Sequence, residues 1–205
     1  MTTTKTVSAK EVSELRQRTG AGMMDCKRAL EESKGDMDAA IEALRKSGAA
    51  KAEKRIGRVA SEGVIGHYIH HNGKVAVIVE VNCETDFVAR TDEFKSLAKS
   101  IAEHIAGAPT PPIAVDKDQV PAERVEQERR IFVEQVKQSG KPENLVDKIV
   151  AGKVEAFYKD VTLLNQPWIR DDKKTIGELV KEVSGKTGEN VQIRRFARFK
   201  IGEAD

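Results

Sequence analysis

Val75, Val77, Val79 and Val81 alternate with Ala76, Ile78, Glu80 and Asn82. A period of two belongs to a half-buried strand, because a helix would scatter these valines around its surface. Asn72-Gly73 stands just before the run and supplies the positive backbone angles that a tight hairpin turn needs. A partner strand is therefore expected from about Gly63 to His70. An isolated hairpin is marginal in water, so the rest of the chain must extend and cover it.

The flanking segments have helical periodicity. Ser8 and Glu11 have the spacing of a capping box, followed by Val12 and Leu15 on one stripe. Thr19-Gly20-Ala21-Gly22 breaks that helix. A second is expected to carry Met23, Cys26, Ala29 and Leu30 inward and to end at Lys34-Gly35. Asp36 is a natural N-cap for a third, with Met37, Ala40, Ile41 and Leu44 inward and Gly48 as the stop. Beyond the hairpin, Phe94, Leu97, Ala98, Ile101 and Ile105 mark a long amphipathic helix. Ala108-Pro109-Thr110-Pro111-Pro112 is a loop. Further helices are expected from about Pro121 to Gln138, from Lys141-Pro142 with Leu145, Ile149 and Phe157 inward, and over Ile176, Leu179, Val180 and Val183. Val191, Ile193, Ala197, Phe199 and Ile201 alternate as a third strand, interrupted by Arg195. The fold expected is α+β: a three-helix N-terminal module, then a three-stranded antiparallel sheet covered by helices.

Three domains of sequence follow from this reading: residues 1–48 as the helical module, 49–60 as a basic linker and 61–205 as the α+β core. Between Arg45 and Arg58, six basic residues oppose only Glu53. Such a run is either a solvated linker or an arm that touches an acidic partner.

A hydrophobic content of 39% with 33% charged residues excludes a disordered or membrane-spanning chain. No apolar run approaches the roughly 20 residues that span a bilayer. Met1–Thr6 lacks the apolar stretch of a signal peptide, and two cysteines fit a reducing compartment, so a cytoplasmic location is expected. A net charge of +2 and an aromatic content of 4% give neither a global basic field nor a stacking platform, so no direct nucleic-acid partner is expected.

Enzymatic signals fail on inspection. Ser184-Gly185-Lys186-Thr187 resembles the end of a phosphate-binding loop, but Val180 stands where the loop's first glycine belongs. Lys186 is then expected in a turn after the helix. His67, His70 and His71 lack a fourth ligand for zinc, and Cys83 lies beside Glu84, a neighbour that raises a thiol's pKa. No catalytic residues, metal or cofactor are expected, and the chain does not read as an enzyme.

Two motifs carry a resemblance. The segment from Leu15-Arg16-Gln17-Arg18-Thr19-Gly20-Ala21-Gly22-Met23-Met24-Asp25-Cys26-Lys27 to Leu30 is similar to the N-terminal signature of the translation elongation factor Ts family. Glu80 to Arg90, ending Thr85-Asp86-Phe87-Val88-Ala89-Arg90, resembles its second signature. Gln138–Pro142 and Leu164–Trp168 also resemble family segments, so the similarity runs from about Val7 to Gly202. The resemblance implies a ubiquitin-associated-like N-terminal module and a short, single-core form that pairs as a homodimer. It implies guanine nucleotide exchange on elongation factor Tu, bound with GDP or nucleotide-free, during protein synthesis.

By the same resemblance, Thr85, Asp86, Phe87 and Val88 form the exchange wedge, and Met23, Met24 and Lys27 bind the partner from the N-terminal module. The family's equivalent of Phe87 inserts near the partner's magnesium and phosphate sites. Thr85 or Asp86 can cap the turn that presents it. A phenylalanine in that position could equally fill the local core. A ribosome- or RNA-associated protein using Arg45–Arg58, Arg194, Arg195 and Arg198 is the alternative of another class.

Overall fold

A computed structural model of the chain describes residues 7–203. The Met1–Thr6 stretch read above for a signal sequence lies outside them. Helices α1 (Ala9–Thr19), α2 (Met23–Glu32) and α3 (Met37–Glu53) precede strands β1 (Glu62–Ile69) and β2 (Val75–Cys83). One helical turn, α4 (Asp86–Ala89), leads into α5 (Asp92–Gly107). Helices α6 (Ala122–Gln138) and α7 (Glu143–Val161) pack as a hairpin. Strands β3 (Pro167–Trp168) and β4 (Asp171–Thr175), helix α8 (Ile176–Thr187) and strand β5 (Gln192–Lys200) complete the order. The fold is α+β, with the N-terminal three-helix region and the three-stranded antiparallel sheet.

The chain divides into two compact units. One comprises the residues up to Gly63 together with Asn82–Leu97 and Glu178–Gln192. Its first helix starts on the expected capping box, in which Ser8 Oγ accepts from the Glu11 N–H at 3.2 Å and the Glu11 carboxylate accepts from the Ser8 N–H at 2.8 Å. Gly20, at φ 69°, ends the helix in the left-handed conformation that a side chain disfavours. Asp36 caps α3 by accepting from the Ala39 N–H at 3.0 Å. Val12, Leu15, Cys26, Ala29, Leu30 and Ala40 form the buried centre.

Three expectations for this unit are corrected. Met23 is 54% exposed although it shares a stripe with Cys26 and Leu30; it is the first residue of α2, one turn before the buried residues begin. Gly48 does not stop α3, which continues to Glu53. The glycine that lets α8 approach at this point is Gly185, where a Cβ would lie 3.2 Å from the Gly48 Cα; a Cβ on Gly48 itself would meet nothing within 4 Å. Lys186 is likewise inside α8 rather than in a turn beyond it, and it pairs with Glu93 at 3.0 Å and Glu182 at 3.3 Å.

The other unit holds Val64–Val81, Ala98–Gly177 and the chain from Ile193 onward. Its sheet runs in the order β1-β2-β5. At the hairpin tip only Gly73 has a positive φ; Asn72 contributes its Oδ1, which accepts from the Lys74 N–H at 3.0 Å. Gly66 is required where β1 meets α5, since a Cβ there would lie 2.6 Å from the Ala98 carbonyl oxygen. Val77, Val79 and Val81 are buried, and on the opposite face Ile65, Ile69 and Ile78 are exposed.

Strand β5 differs from the expected uniform face. Val191 and Ile193 are buried, whereas Phe199 and Ile201 are 65% and 74% exposed. Arg195 interrupts the buried face as expected: its side chain is 78% exposed, and its Nε donates to Glu80 across the sheet at 2.8 Å. In α7 the buried stripe is Val146, Val150 and Val161; Ile149 and Phe157 pack partly buried against the core as expected, and Leu145 is 42% exposed. The β3–β4 hairpin was not anticipated from the sequence. Above it, buried His104 accepts the Ile169 N–H on Nδ1 at 3.3 Å, so its Nε2 donates to Gln166 Oε1 at 3.0 Å. Gln166 Nε2 donates to the carbonyls of Thr110 and Asp160 at 2.9 and 2.6 Å.

Candidate functional site

The chain leaving β2 turns at once into α4. A four-residue helix leaves nearly all its backbone groups without helical partners, so side chains must hold its shape. Thr85 is the N-cap: its Oγ accepts from the Val88 N–H at 3.4 Å. Of the two capping candidates, Thr85 takes the role. Asp86 instead pairs with Arg90 at 2.7 Å on the surface. Thr91 then links the turn to α5, donating to the Val88 carbonyl at 2.8 Å and accepting from the Phe94 N–H at 3.3 Å.

The turn is also held from a distance. The Glu189 carboxylate accepts the N–H groups of Glu84 and Thr85 at 3.0 Å each, and the Thr85 hydroxyl donates to it at 2.5 Å. In return, the Glu84 carboxylate accepts the Asn190 N–H at 2.6 Å, and Arg58 lies 3.5 Å from it. Asn190 Nδ2 donates to the Arg58 carbonyl at 2.8 Å. Neither Glu189 nor Asn190 was singled out by the sequence reading, because a single Glu-Asn pair after a glycine has no local signature.

On this base Val88 and Ala89 turn inward and are buried, while Phe87 is 78% exposed. The ring therefore does not fill the local core. Of the four residues read as a wedge, Phe87 and Asp86 face solvent, Thr85 builds the cap and Val88 anchors it. Burying such a ring against another protein releases roughly 1.5–3 kcal/mol.

Cys83 lies beneath the turn and donates to the Thr85 carbonyl at 3.2 Å. Burial, and then the charge of Glu189, push its thiol up to about 11. The carboxylates responsible are Glu189 and, to a smaller extent, Glu62, and not the sequence neighbour Glu84. A thiol held protonated is a poor nucleophile. Among the described residues, no group of three or more His, Cys, Asp and Glu could hold a metal ion. Burial opposes the charge of Lys186, but Glu93 and Glu182 outweigh it and keep the ammonium protonated and engaged, so it is not poised for a phosphate.

In the three-helix region Met24 is 74% exposed beside Met23, and Lys27 pairs loosely with Glu31 at 3.8 Å. Gly22 starts α2 without a side-chain cap. Much of the basic run is engaged internally: Lys51 pairs with Asp25 at 2.8 Å and Arg55 donates to the Ser184 carbonyl at 3.0 Å. Arg194 and Arg195 both approach Glu80, and Arg198 pairs with Glu203. Arg194, Arg195 and Arg198, on which an RNA-binding reading relies, are thus paired with carboxylates of the same chain. No helix among the described residues is long and apolar enough to cross a membrane.

The family model described as Elongation factor TS matches residues 5–203. Elongation factor Ts of Fervidobacterium nodosum is 53% identical over 197 residues, covering 96% of this chain and 99% of its own length. The protein of the same name from Carboxydothermus hydrogenoformans is 54% identical, covering 96% of this chain and 90% of its own length. That of Nitratidesulfovibrio vulgaris is 51% identical, with 96% and 97% covered.

Proposed function

This chain belongs to the elongation factor Ts family of translation elongation factors, and on that premise we propose that it is the guanine nucleotide exchange factor for elongation factor Tu. The observation that carries the reading is Phe87, an aromatic ring 78% exposed on a turn too short to hold itself. Inserted beside the partner's magnesium and phosphate site, the ring displaces the elements that grip the metal. The nucleotide phosphates then lose charge compensation, GDP leaves and GTP enters. No bond of any substrate is made or broken by this chain, which acts as a binding protein and not an enzyme.

Exchange of this kind is reciprocal: whatever factor the chain takes from GDP affinity, GDP takes from the chain's affinity. Each tenfold weakening needs about 1.4 kcal/mol of differential contact. Phe87 alone supplies only part of a large effect. Asp86 and the 1–48 module, through Met23, Met24 and Lys27, hold both the GDP-bound and the nucleotide-free partner while the ring acts. The activity belongs in the cytoplasm, where translation proceeds.

The homodimer expected of a short form is read from exposed apolar residues: Ile65, Ile69 and Ile78 on the uncovered face of the sheet, and Phe199 and Ile201 at the end of β5. Packing that face against its counterpart makes a homodimer with a two-sheet core. Ile78→Asp is expected to shift the sedimenting species toward the monomer.

Release of fluorescent GDP from elongation factor Tu tests the main reading directly. The chain is expected to accelerate it in a saturable manner. Release at the spontaneous rate over all concentrations overturns the assignment.

A further inference from the structure

From the hydrogen bonds that converge on one carboxylate, we infer that Glu189 is the positioning residue of the exchange turn: it fixes Phe87 in its outward orientation before any partner arrives. The inference rests on the exchange reading of Phe87 and adds a residue, 104 positions away in sequence, that the wedge depends on.

The argument begins with what the turn lacks. Helix α4 spans only Asp86–Ala89, and the Glu84 and Thr85 N–H groups just before it have no helical acceptor. Glu189 takes both N–H groups on Oε2 and the Thr85 hydroxyl on Oε1. Donating that proton leaves the Thr85 oxygen's lone pairs free for the Val88 N–H, so the carboxylate also sets the cap one step further on. Hydrogen bonds to an ionised acceptor are about twice as strong as neutral ones.

Glu189 is itself fixed. Gly188, at φ 79°, reverses the chain after α8. The Ser184 hydroxyl donates to the Glu189 carbonyl at 2.5 Å, and the neighbouring Asn190 N–H is held by Glu84. The two carboxylates thus each satisfy the other segment's backbone. Phe87 touches none of this with its ring, which remains solvent-facing; its direction is set by the backbone alone.

A wedge that must enter a packed partner gains from being ordered beforehand, since a misplacement of about 1 Å can cost 100-fold in rate. Glu189→Ala is therefore expected to lower the maximal rate of stimulated GDP release about tenfold or more, with a smaller change in the half-saturating concentration. Glu189→Gln, which keeps an acceptor oxygen for the two N–H groups, should recover part of the loss. The decisive arm is a double-mutant cycle with Phe87→Ala: if Glu189 acts through the ring, Glu189→Ala has little further effect once the ring is gone. Additive losses overturn the inference, as does a full maximal rate in Glu189→Ala.

Amide hydrogen exchange at Glu84 and Thr85 provides a readout independent of the partner. It is expected to accelerate in both Glu189 variants, more in Ala than in Gln, while α1–α3 stay protected. Unchanged protection at those two amides overturns the positioning role even where the variants lose activity. A wild-type chain that fails to speed GDP release refutes the exchange reading instead, and the amide measurement still decides whether Glu189 orders the turn.

Discussion

Two side chains in this molecule tie together segments far apart in sequence, and they do so for different ends. Glu189 is charged and gathers three donors around a turn whose working ring points into solvent. Gln166 is neutral and buried, and it joins His104 to the carbonyls of Thr110 and Asp160. A charged acceptor near the surface remains compatible with water and can hold a local shape without being sealed. A buried amide must have every group matched, because an orphaned partner inside the protein costs about 1–3 kcal/mol. The first arrangement is suited to presenting a residue and the second to fixing architecture.

The contrast is broken most severely at the buried end. Gln166→Ala strands two carbonyls and the His104 Nε2–H, so a loss of about 3 kcal/mol or more in unfolding free energy is expected by denaturant titration. A loss below about 1 kcal/mol would mean that water replaces the amide and that the network is not architectural. At the exposed end the pattern reverses. Phe87→Ala should leave stability within about 0.5 kcal/mol, as for other surface changes, yet lower stimulated GDP release by about 10- to 100-fold, the rate equivalent of one buried ring. A wild-type release rate with this variant removes Phe87 from the mechanism.

How much of this could be read in the sequence depended on the range of the interaction. The capping box at Ser8 and Glu11, the Asp36 cap and the valine alternation are local signals, and each element begins where expected. The β3–β4 hairpin escaped because Asp171-Asp172-Lys173-Lys174-Thr175 has no apolar alternation to betray a strand. Gly48 misled because a single glycine weakens a helix without ending it, and the glycine that lets the two helices come close is Gly185 of α8. Thr85–Val88 stood out as a motif, but its support did not. The clamp joins residues 104 and 105 positions apart, and nothing in Gly188-Glu189-Asn190 alone announces which amides it serves.

A third, smaller effect compares the clamped turn with the open end of α2. Met23 and Met24 sit on a helix start that Gly22 leaves uncapped, and their unbranched side chains can adapt to a partner surface. They should contribute grip rather than trigger. Replacing both by Ala is expected to raise the half-saturating concentration about tenfold, the effect of roughly 1.4 kcal/mol of lost burial, without lowering the maximal release rate. A fall in the maximal rate would place the methionines in the trigger and erase the division of labour between the two surfaces.

The smallest effect at neutral pH concerns the buried network again. Burial holds the His104 pKa below its ordinary 6.5, opposed by the bond to Gln166. The unfolded chain therefore binds a proton that the folded chain resists. Stability supplied by the neutral ring is fully present above about pH 6.5 and declines as pH falls through that value toward the lower folded pKa. Protonation at Nδ1 would also set a second donor against the Ile169 N–H. Unfolding free energies measured between pH 7.5 and 5.5 should thus fall in the wild type and fall less in His104→Gln, although that variant starts lower. The Glu189 turn gives the opposite expectation. The three donors on its carboxylate are two backbone N–H groups and a hydroxyl, with no imidazole among them, so amide protection at Glu84 and Thr85 should hold across the same interval. Parallel losses at both places would show that one global transition, and not two separate devices, underlies the contrast.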